Sequence, residues 1–353
     1  MAEDGFPRDY SLTGPLNAKA VETGLANGQW YKTPIPRERM KQLMQRSDGP
    51  ATRDTIIYYG SMIVLTGLGV TLWGSWWSLP FFLAYGVLYA SGGDSRWHEC
   101  GHGTAFRTQW KNDVVYQVAC FCTVRNPTIW RWSHTRHHTD TIIVGRDPEI
   151  ILMRPPEMLK ALLLPFGILD VPQDLWRMVR YAGGTLNAAE ASFVPESERP
   201  KVFLVARVWI AIYAATILAS LWMQSILPLM IVGLPRFYGA WHMVMTGYTQ
   251  HIGLAEDVLD HRLNSRTVYI NPISRFIYWN MNYHIEHHMF PMVPYHALPA
   301  LHDEIKADCP PPYRGFLAAY SEIIPTLIRQ LRDPHYFVHR QLPKIARQAK
   351  TGS

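Results

Sequence analysis

Four long apolar stretches, arranged as two close pairs, set the pattern of the chain. Polar residues rich in Pro, Gly and charge run from the start to about residue 53. Two apolar stretches follow, Thr55–Gly74 and Trp76–Ser91, joined almost without a loop. Each is close to the ~20 residues that cross a hydrocarbon core as a helix, so the pair predicts a membrane hairpin. A polar block spans residues 94–200, and a second apolar pair follows at Val202–Leu221 and Ser225–Gly247. The last stretch is interrupted by Pro228 and Pro235 and contains Arg236 and His242. Ionisable groups at that depth face protein or a cavity. Pro36–Arg46, Met158–Tyr181 and Tyr313–Leu331 read as amphipathic helices, the last with its apolar stripe broken by Pro325. The pattern predicts an all-α integral membrane protein with four transmembrane helices in two hairpins. Its expected parts are an N-terminal arm (1–53), a membrane and site domain (54–302) and a C-terminal helix and tail (303–353).

Charge orients this arrangement. Of the 34 Lys and Arg, eight precede Thr55, thirteen lie between Asp94 and Lys201, and eleven follow Gly247. The turns near Ser75 and Met223 carry none, so the positive-inside rule places both termini and the central block in the cytoplasm. Composition fits a chain half in lipid: 48% hydrophobic, 18% charged, with a mean hydropathy of only -0.08. The net charge of +6 is spread out, which suits an anionic lipid surface better than nucleic acid. The first fifty residues hold no apolar core of a signal peptide, so the internal spans are expected to carry targeting. Cys100, Cys120, Cys122 and Cys309 show neither a zinc-type pair nor disulfide density and read as reduced thiols.

The polar block 94–200 and the C-terminal block beyond Gly247 carry histidines at helical spacing. His98-Glu99-Cys100-Gly101-His102 follows the second stretch, His134-Thr135-Arg136-His137-His138 lies in the central block, and His284-Ile285-Glu286-His287-His288 follows the fourth stretch. These clusters hold eight of fifteen histidines. Spacings of three and four bring rings onto one helix face, where neutral imidazoles can converge on iron, copper, nickel or zinc. Eight rings exceed the ligand set of a single tetrahedral or octahedral ion, so the expectation is a pair of metals at the membrane edge.

The HxxxH, HxxHH and later HxxHH order resembles the membrane fatty acid desaturase and hydroxylase family, over roughly residues 55 to 302. The first box with Gly103 resembles acyl-lipid desaturases. So does Asn282-Tyr283 before the third box, with Phe290-Pro291 and Pro294-Tyr295-His296 after it. The resemblance implies four transmembrane helices and a cytoplasmic helical cap. It also implies a non-haem di-iron centre that uses dioxygen to insert a double bond into an aliphatic, fatty acyl or lipid-like chain. The implied ligands are His98, His102, His134, His137, His138, His284, His287 and His288. A ninth is His251 in Thr249-Gln250-His251, with His242 as its competitor. No catalytic residue is assigned beyond these ligands, and Asn280 is a candidate contact through water. No HPGG motif marks a fused cytochrome b5 domain, so a separate donor is implied: ferredoxin, rubredoxin or cytochrome b5 with its reductase.

Glu99, Asp140, Asp147, Glu286 and Asp303 are near enough in sequence to orient the rings. Asp94, Asn282 and Tyr283 are candidates for shaping the site, and Trp130 and Trp132 for walling a substrate tunnel. His261, His296, His302, His335 and His339 fall outside the boxes and read as structural. The alternative within the family is a hydroxylase or monooxygenase acting on a lipid, alkane, carotenoid or small amphiphilic metabolite. A remoter one is a zinc metalloprotease, since His98-Glu99-x-x-His102 satisfies HExxH but leaves two clusters idle. A haem electron carrier would need histidines facing each other inside the spans, and nearly all of these lie at or beyond the span ends.

Overall fold

The computed structural model describes residues 8–343; the outer ends of the predicted arm and tail, 1–7 and 344–353, lie outside the described residues. The chain is mostly helical. The arm contains α1 (Pro15–Glu22) and α2 (Arg37–Leu43) and lies against the C-terminal segment. Tyr31 Oη and Thr33 Oγ1 both donate to Asp308 Oδ2, at 2.7 and 2.6 Å.

The first hairpin is α3 (Asp48–Thr71) and α4 (Ser78–Ser91). α3 begins seven residues before the predicted span, with the Asp48 carboxylate in its electropositive first turn, where it also accepts from Thr108 N and Oγ1. Its Ile56, Ile63 and Val64 face outward, while Tyr58 and Met62 pack inward. α4 starts later and is shorter than predicted, since Gly74 takes a left-handed conformation and residues 74–77 form the turn. At fourteen residues it is about 21 Å long, short of a full crossing. A 3₁₀ turn, Gly92–Asp94, then leads directly into α5 (Arg96–Gly101).

The central block comprises α6 (Gln109–Cys122), α7 (Pro127–Thr139), α8 (Met158–Leu163), α9 (Asp170–Ala182) and α10 (Ala188–Phe193). α8 and α9 expose Leu159, Leu162, Trp176 and Val179, as an interfacial pair would. α11 (Arg199–Trp222) is the third predicted span. Among the described residues, one helical segment is both long and apolar enough to cross a membrane: Glu196–Trp222, with mean hydropathy 2.1.

The fourth predicted span is not one helix. It divides into α12 (Leu227–Ile231), α13 (Pro235–Gly239) and α14 (Trp241–His251). Pro228 and Pro235 sit in the first turns of α12 and α13, where a missing N–H is harmless, and Gly233 supplies a left-handed kink between them. α13 packs against α4 with backbone contact: a Cβ on Gly239 would come within 1.9 Å of the Gly86 carbonyl carbon.

The C-terminal block holds α15 (His261–Asn264), α16 (Pro272–Ile277), α17 (His284–Met289), α18 (Leu298–Ile305) and α19 (Phe316–Gln330). Strands β1 (Val268–Tyr269) and β2 (Tyr313–Arg314) pair in parallel. α19 runs through Pro325 rather than breaking there, giving up one backbone hydrogen bond. The largest core cluster joins Trp97, Cys100 and Tyr116 to Trp279, Ile285 and Leu301, so the box-bearing helices are packed into one another. Arg96 ties this block to the first hairpin: its guanidinium lies 3.4 Å from the Tyr58 ring centroid and donates to the Ile277 carbonyl.

Candidate metal centre

Four helix ends deliver the histidines. α5 presents His98, with His102 one turn on at its C-cap. α7 is started by Asn126, whose side chain accepts from Thr128 N and Ile129 N, and by Pro127 in its first turn; its last two turns carry His134, His137 and His138. α17 carries the third box, and α14 ends on His251. The short helices hold their rings because the side chains beside and between the histidines, Trp97, Cys100 and Ile285, are buried in the core.

Each of His98, His102, His134, His138 and His287 offers one nitrogen, and these five atoms lie within 4.8 Å of one another. Within this group, His98 Nε2 is 2.7 Å from His287 Nε2 and 3.1 Å from His134 Nε2. His137, His251 and His288 form a second such group. His284 Nε2 lies 3.0 Å from Nε2 of both His251 and His288. All nine predicted histidines are therefore brought together, in two neighbouring sets, and both groups are purely imidazole.

The outer nitrogens explain why the inner ones point inward. His134 Nδ1 lies 2.9 Å from Glu149 Oε2, His137 Nδ1 2.8 Å from Asp147 Oδ2, and His251 Nδ1 2.8 Å from the Asn264 carbonyl. An oxygen acceptor there holds the proton on Nδ1 and turns the Nε2 lone pair to the cluster. Burial, reinforced by neighbouring rings, pushes His98, His134, His138, His284, His287 and His288 well below the usual histidine range, and burial lowers His102 to about 4. These are the neutral imidazoles that a metal needs. His137 is the exception: burial opposes its charge, but Asp147 outweighs burial and raises it to about 9. Facing lone pairs about 3 Å apart repel unless a proton or cation lies between them, so the donor set fits a transition-metal centre.

The profile of the fatty acid desaturase family matches residues 73–319. The chain belongs to that family. It is similar to a chloroplastic omega-3 fatty acid desaturase of Ricinus communis, at 24% identity over 93% of this chain and 72% of the relative. Two Arabidopsis thaliana relatives are each 23% identical. One is a chloroplastic temperature-sensitive sn-2 acyl-lipid omega-3 desaturase (ferredoxin), covered over 84% of this chain and 68% of the relative. The other is an endoplasmic reticulum acyl-lipid omega-3 desaturase (cytochrome b5), over 82% and 76%. Membership makes this desaturase-family chain a membrane-associated oxidoreductase of lipid metabolism.

A cavity of about 330 Å³ opens beside the histidines, with His98, His134, His137 and His251 in its wall. Trp130 lines it, as expected of a tunnel wall, whereas Trp132 does not. Of the five predicted orienting acids, only Asp147 touches a box ring. Glu99 accepts from Tyr295 N, Asp140 pairs with Arg146, Glu286 bonds His302 and Thr267, and Asp303 pairs with Lys306 at the surface. Glu149 escaped the sequence reading; its position two residues after Asp147, just past the second box, was the available signal.

Asp94 borders the centre, with Oδ1 3.8 Å from His98 Nδ1 and Oδ2 accepting from Gln250. Asn280 instead donates to the Tyr295 carbonyl, Asn282 donates to the Val268 carbonyl, and Tyr283 packs on His302. His242 is held between Ser91 and Ser274, away from both groups. His261 is nearer the centre than its place outside the boxes suggests: its ring stacks on Trp30 at 4.2 Å and lies 5.1 Å from His288. All four cysteines are free and buried.

Proposed function

We propose that this chain is an oxygen-dependent membrane desaturase that inserts a C=C bond into an aliphatic chain, with two irons held by nine histidines. The observation that carries this reading is the convergence of nine imidazole nitrogens into two neighbouring all-histidine sets. One set would be His98, His102, His134, His138 and His287; the other would be His137, His251, His284 and His288. Bound there, two irons would pass electrons from the separate donor to dioxygen and would supply the oxidising power to take hydrogen from an unactivated C–H bond. The protein's own part is positional. Asp147 and Glu149 fix two rings of α7, Asn264 fixes His251, and the core around Trp97 and Ile285 keeps water from the rings. Trp130 and the cavity wall would set how close a C–H bond comes to the histidines, and so whether a second hydrogen is removed. An HExxH zinc site would use His98, His102 and one further ligand, and would leave the other converged histidines idle.

The same reading includes two hairpins and four spans, with both termini and the metal site in the cytoplasm. Trp76 and Trp222, 90% and 86% exposed at the two hairpin turns, suit the opposite interface. The arm (1–53), the membrane and site domain (54–302) and the C-terminal segment (303–353) remain its proposed divisions. A separate electron donor is part of the proposal, and the relatives' names include both ferredoxin and cytochrome b5.

Metal analysis with Mössbauer spectroscopy on protein purified in mild detergent should give about two coupled irons per chain. His137→Ala or His287→Ala should lose iron and activity together. One firmly bound zinc and no iron in active protein would overturn the proposal.

A further inference from the structure

We infer that the cavity beside the histidines takes a substrate with an anionic end, anchored by Arg236 and Arg125; this rests on the desaturase reading and names its substrate class. Asp170, Asp174 and Arg177 lie along one face of α9 and line the cavity with Arg125 and Arg236. Arg236 Nη2 donates to Asp170 at 2.6 Å, Arg177 Nη1 donates to Asp174 at 2.9 Å, and Arg125 Nε stands 3.9 Å from Asp174. Three guanidiniums thus share two carboxylates. The remaining acids nearest the histidines are committed elsewhere, Glu149 to His134 and Ser133 and Asp94 to Gln250.

Hydrogen-bond accounting points the same way. Arg236 is 1% exposed, yet its Nε and Nη1 have no partner among the described residues, and neither has the Trp130 indole N–H. Asp170 Oδ1 is the one fully buried acceptor of this cluster without a partner among the described residues. Buried donors are nearly always satisfied, so a surplus of donors calls for an oxygen-rich ligand. A guanidinium with a free edge suits a carboxylate or phosphate. Arg125 lies 3.7 Å over the Trp130 ring, Trp130 touches Trp97 at 4.5 Å, and Trp97 touches His134 at 5.0 Å. The anchor and the histidines are therefore walls of one cavity, separated by two indoles. Its 330 Å³ is at the small end of the roughly 300–1,000 Å³ of ligand sites, which favours a compact amphiphile or the headward part of a longer one.

Equilibrium dialysis of metal-loaded, detergent-solubilised protein against labelled octanoate, octyl phosphate and methyl octanoate tests this, with protein-free micelles as the blank. The two anions should bind saturably, about tenfold or more tighter than the neutral ester. Arg236→Gln should bring octanoate down to the ester's level. Because that change leaves Asp170 unpaired, Arg125→Gln, on a partly exposed side chain, is the second variant and should weaken octanoate without altering gel-filtration behaviour. Tighter octyl phosphate would support an anchor for a phosphate head group, and tighter octanoate one for a carboxylate. An ester that binds as well as the acid, or two folded variants that bind octanoate like the parent, would overturn the anchor. Iron content measured on the same samples separates the proposals: a parent protein that retains iron but shows no anion preference overturns the anchor alone, whereas absent iron overturns the desaturase reading.

Discussion

Asp147 and Glu149 grip the second box by the ring atoms that face away from the cluster. The Asp147 carboxylate also accepts from Ile142 N, and its other oxygen accepts from Glu149 N, so the two acids form one rigid turn behind α7. Their contribution is orientation and basicity of the imidazoles. Asp147→Ala or Glu149→Ala should lower metal affinity by roughly 10–100-fold, with the helical signal intact. Competition with a chelator of known affinity measures this directly. Asp303→Ala, at the surface beside Lys306, should leave the affinity unchanged. The same comparison shows what residue spacing conveys. The eight box rings were legible because helical periodicity faces them together, and His251 through the family resemblance, whereas the acids that serve them could not be sorted by sequence distance. Glu99 and Glu286 are each within one residue of a box histidine, and both bond elsewhere because alternate helix positions point to different neighbours.

At the scale of elements, the segment predicted as the fourth span depends on close packing where it breaks. Gly239 of α13 presses on Gly86 of α4, with no room for a methyl group on either backbone. Gly239→Ala should destabilise the protein by roughly 1–3 kcal/mol, the usual cost of overpacking. A lower unfolding midpoint in detergent, with metal stoichiometry of the folded fraction preserved, is the expected result. An unchanged midpoint would mean that α13 is free to move away from α4. The two prolines were visible in the sequence as interruptions, but not as the starts of new short helices. Pro325 read as a break in α19 and is accommodated within it. Proline marks a missing N–H; whether the chain bends there depends on what packs around it.

Across the molecule, many buried neutral histidines make stability depend on pH. His102, lowered to about 4, takes up its proton more readily in the unfolded chain, where histidine titrates near 6.5, and the other lowered rings share that direction. The unfolded state therefore binds more protons in this window, so stability rises with pH from about 4 to 6.5 and is lost on acidification. His137, raised to about 9, works oppositely, adding stability below about 6.5 that fades toward pH 9. Metal-free protein should show a melting midpoint that falls steeply below pH 6.5 and declines gently above it. A midpoint flat from pH 4 to 7 would contradict this account of the buried rings.

The sequence by itself determined the helical class, the apolar pairs and the eight clustered histidines, because hydrophobic period and ligand spacing are local properties; His251 came from the family resemblance. The family resemblance rested on the same local motifs. Tertiary structure decided the grouping of rings into two sets, since His287 of the third box joins the first two boxes while His137 of the second joins His251 and His288. It also decided that Arg236 meets Asp170 and that Arg125 meets Asp174 beside the histidines. Such pairings link residues tens to more than a hundred positions apart, and only the packing of helix on helix brings them within reach.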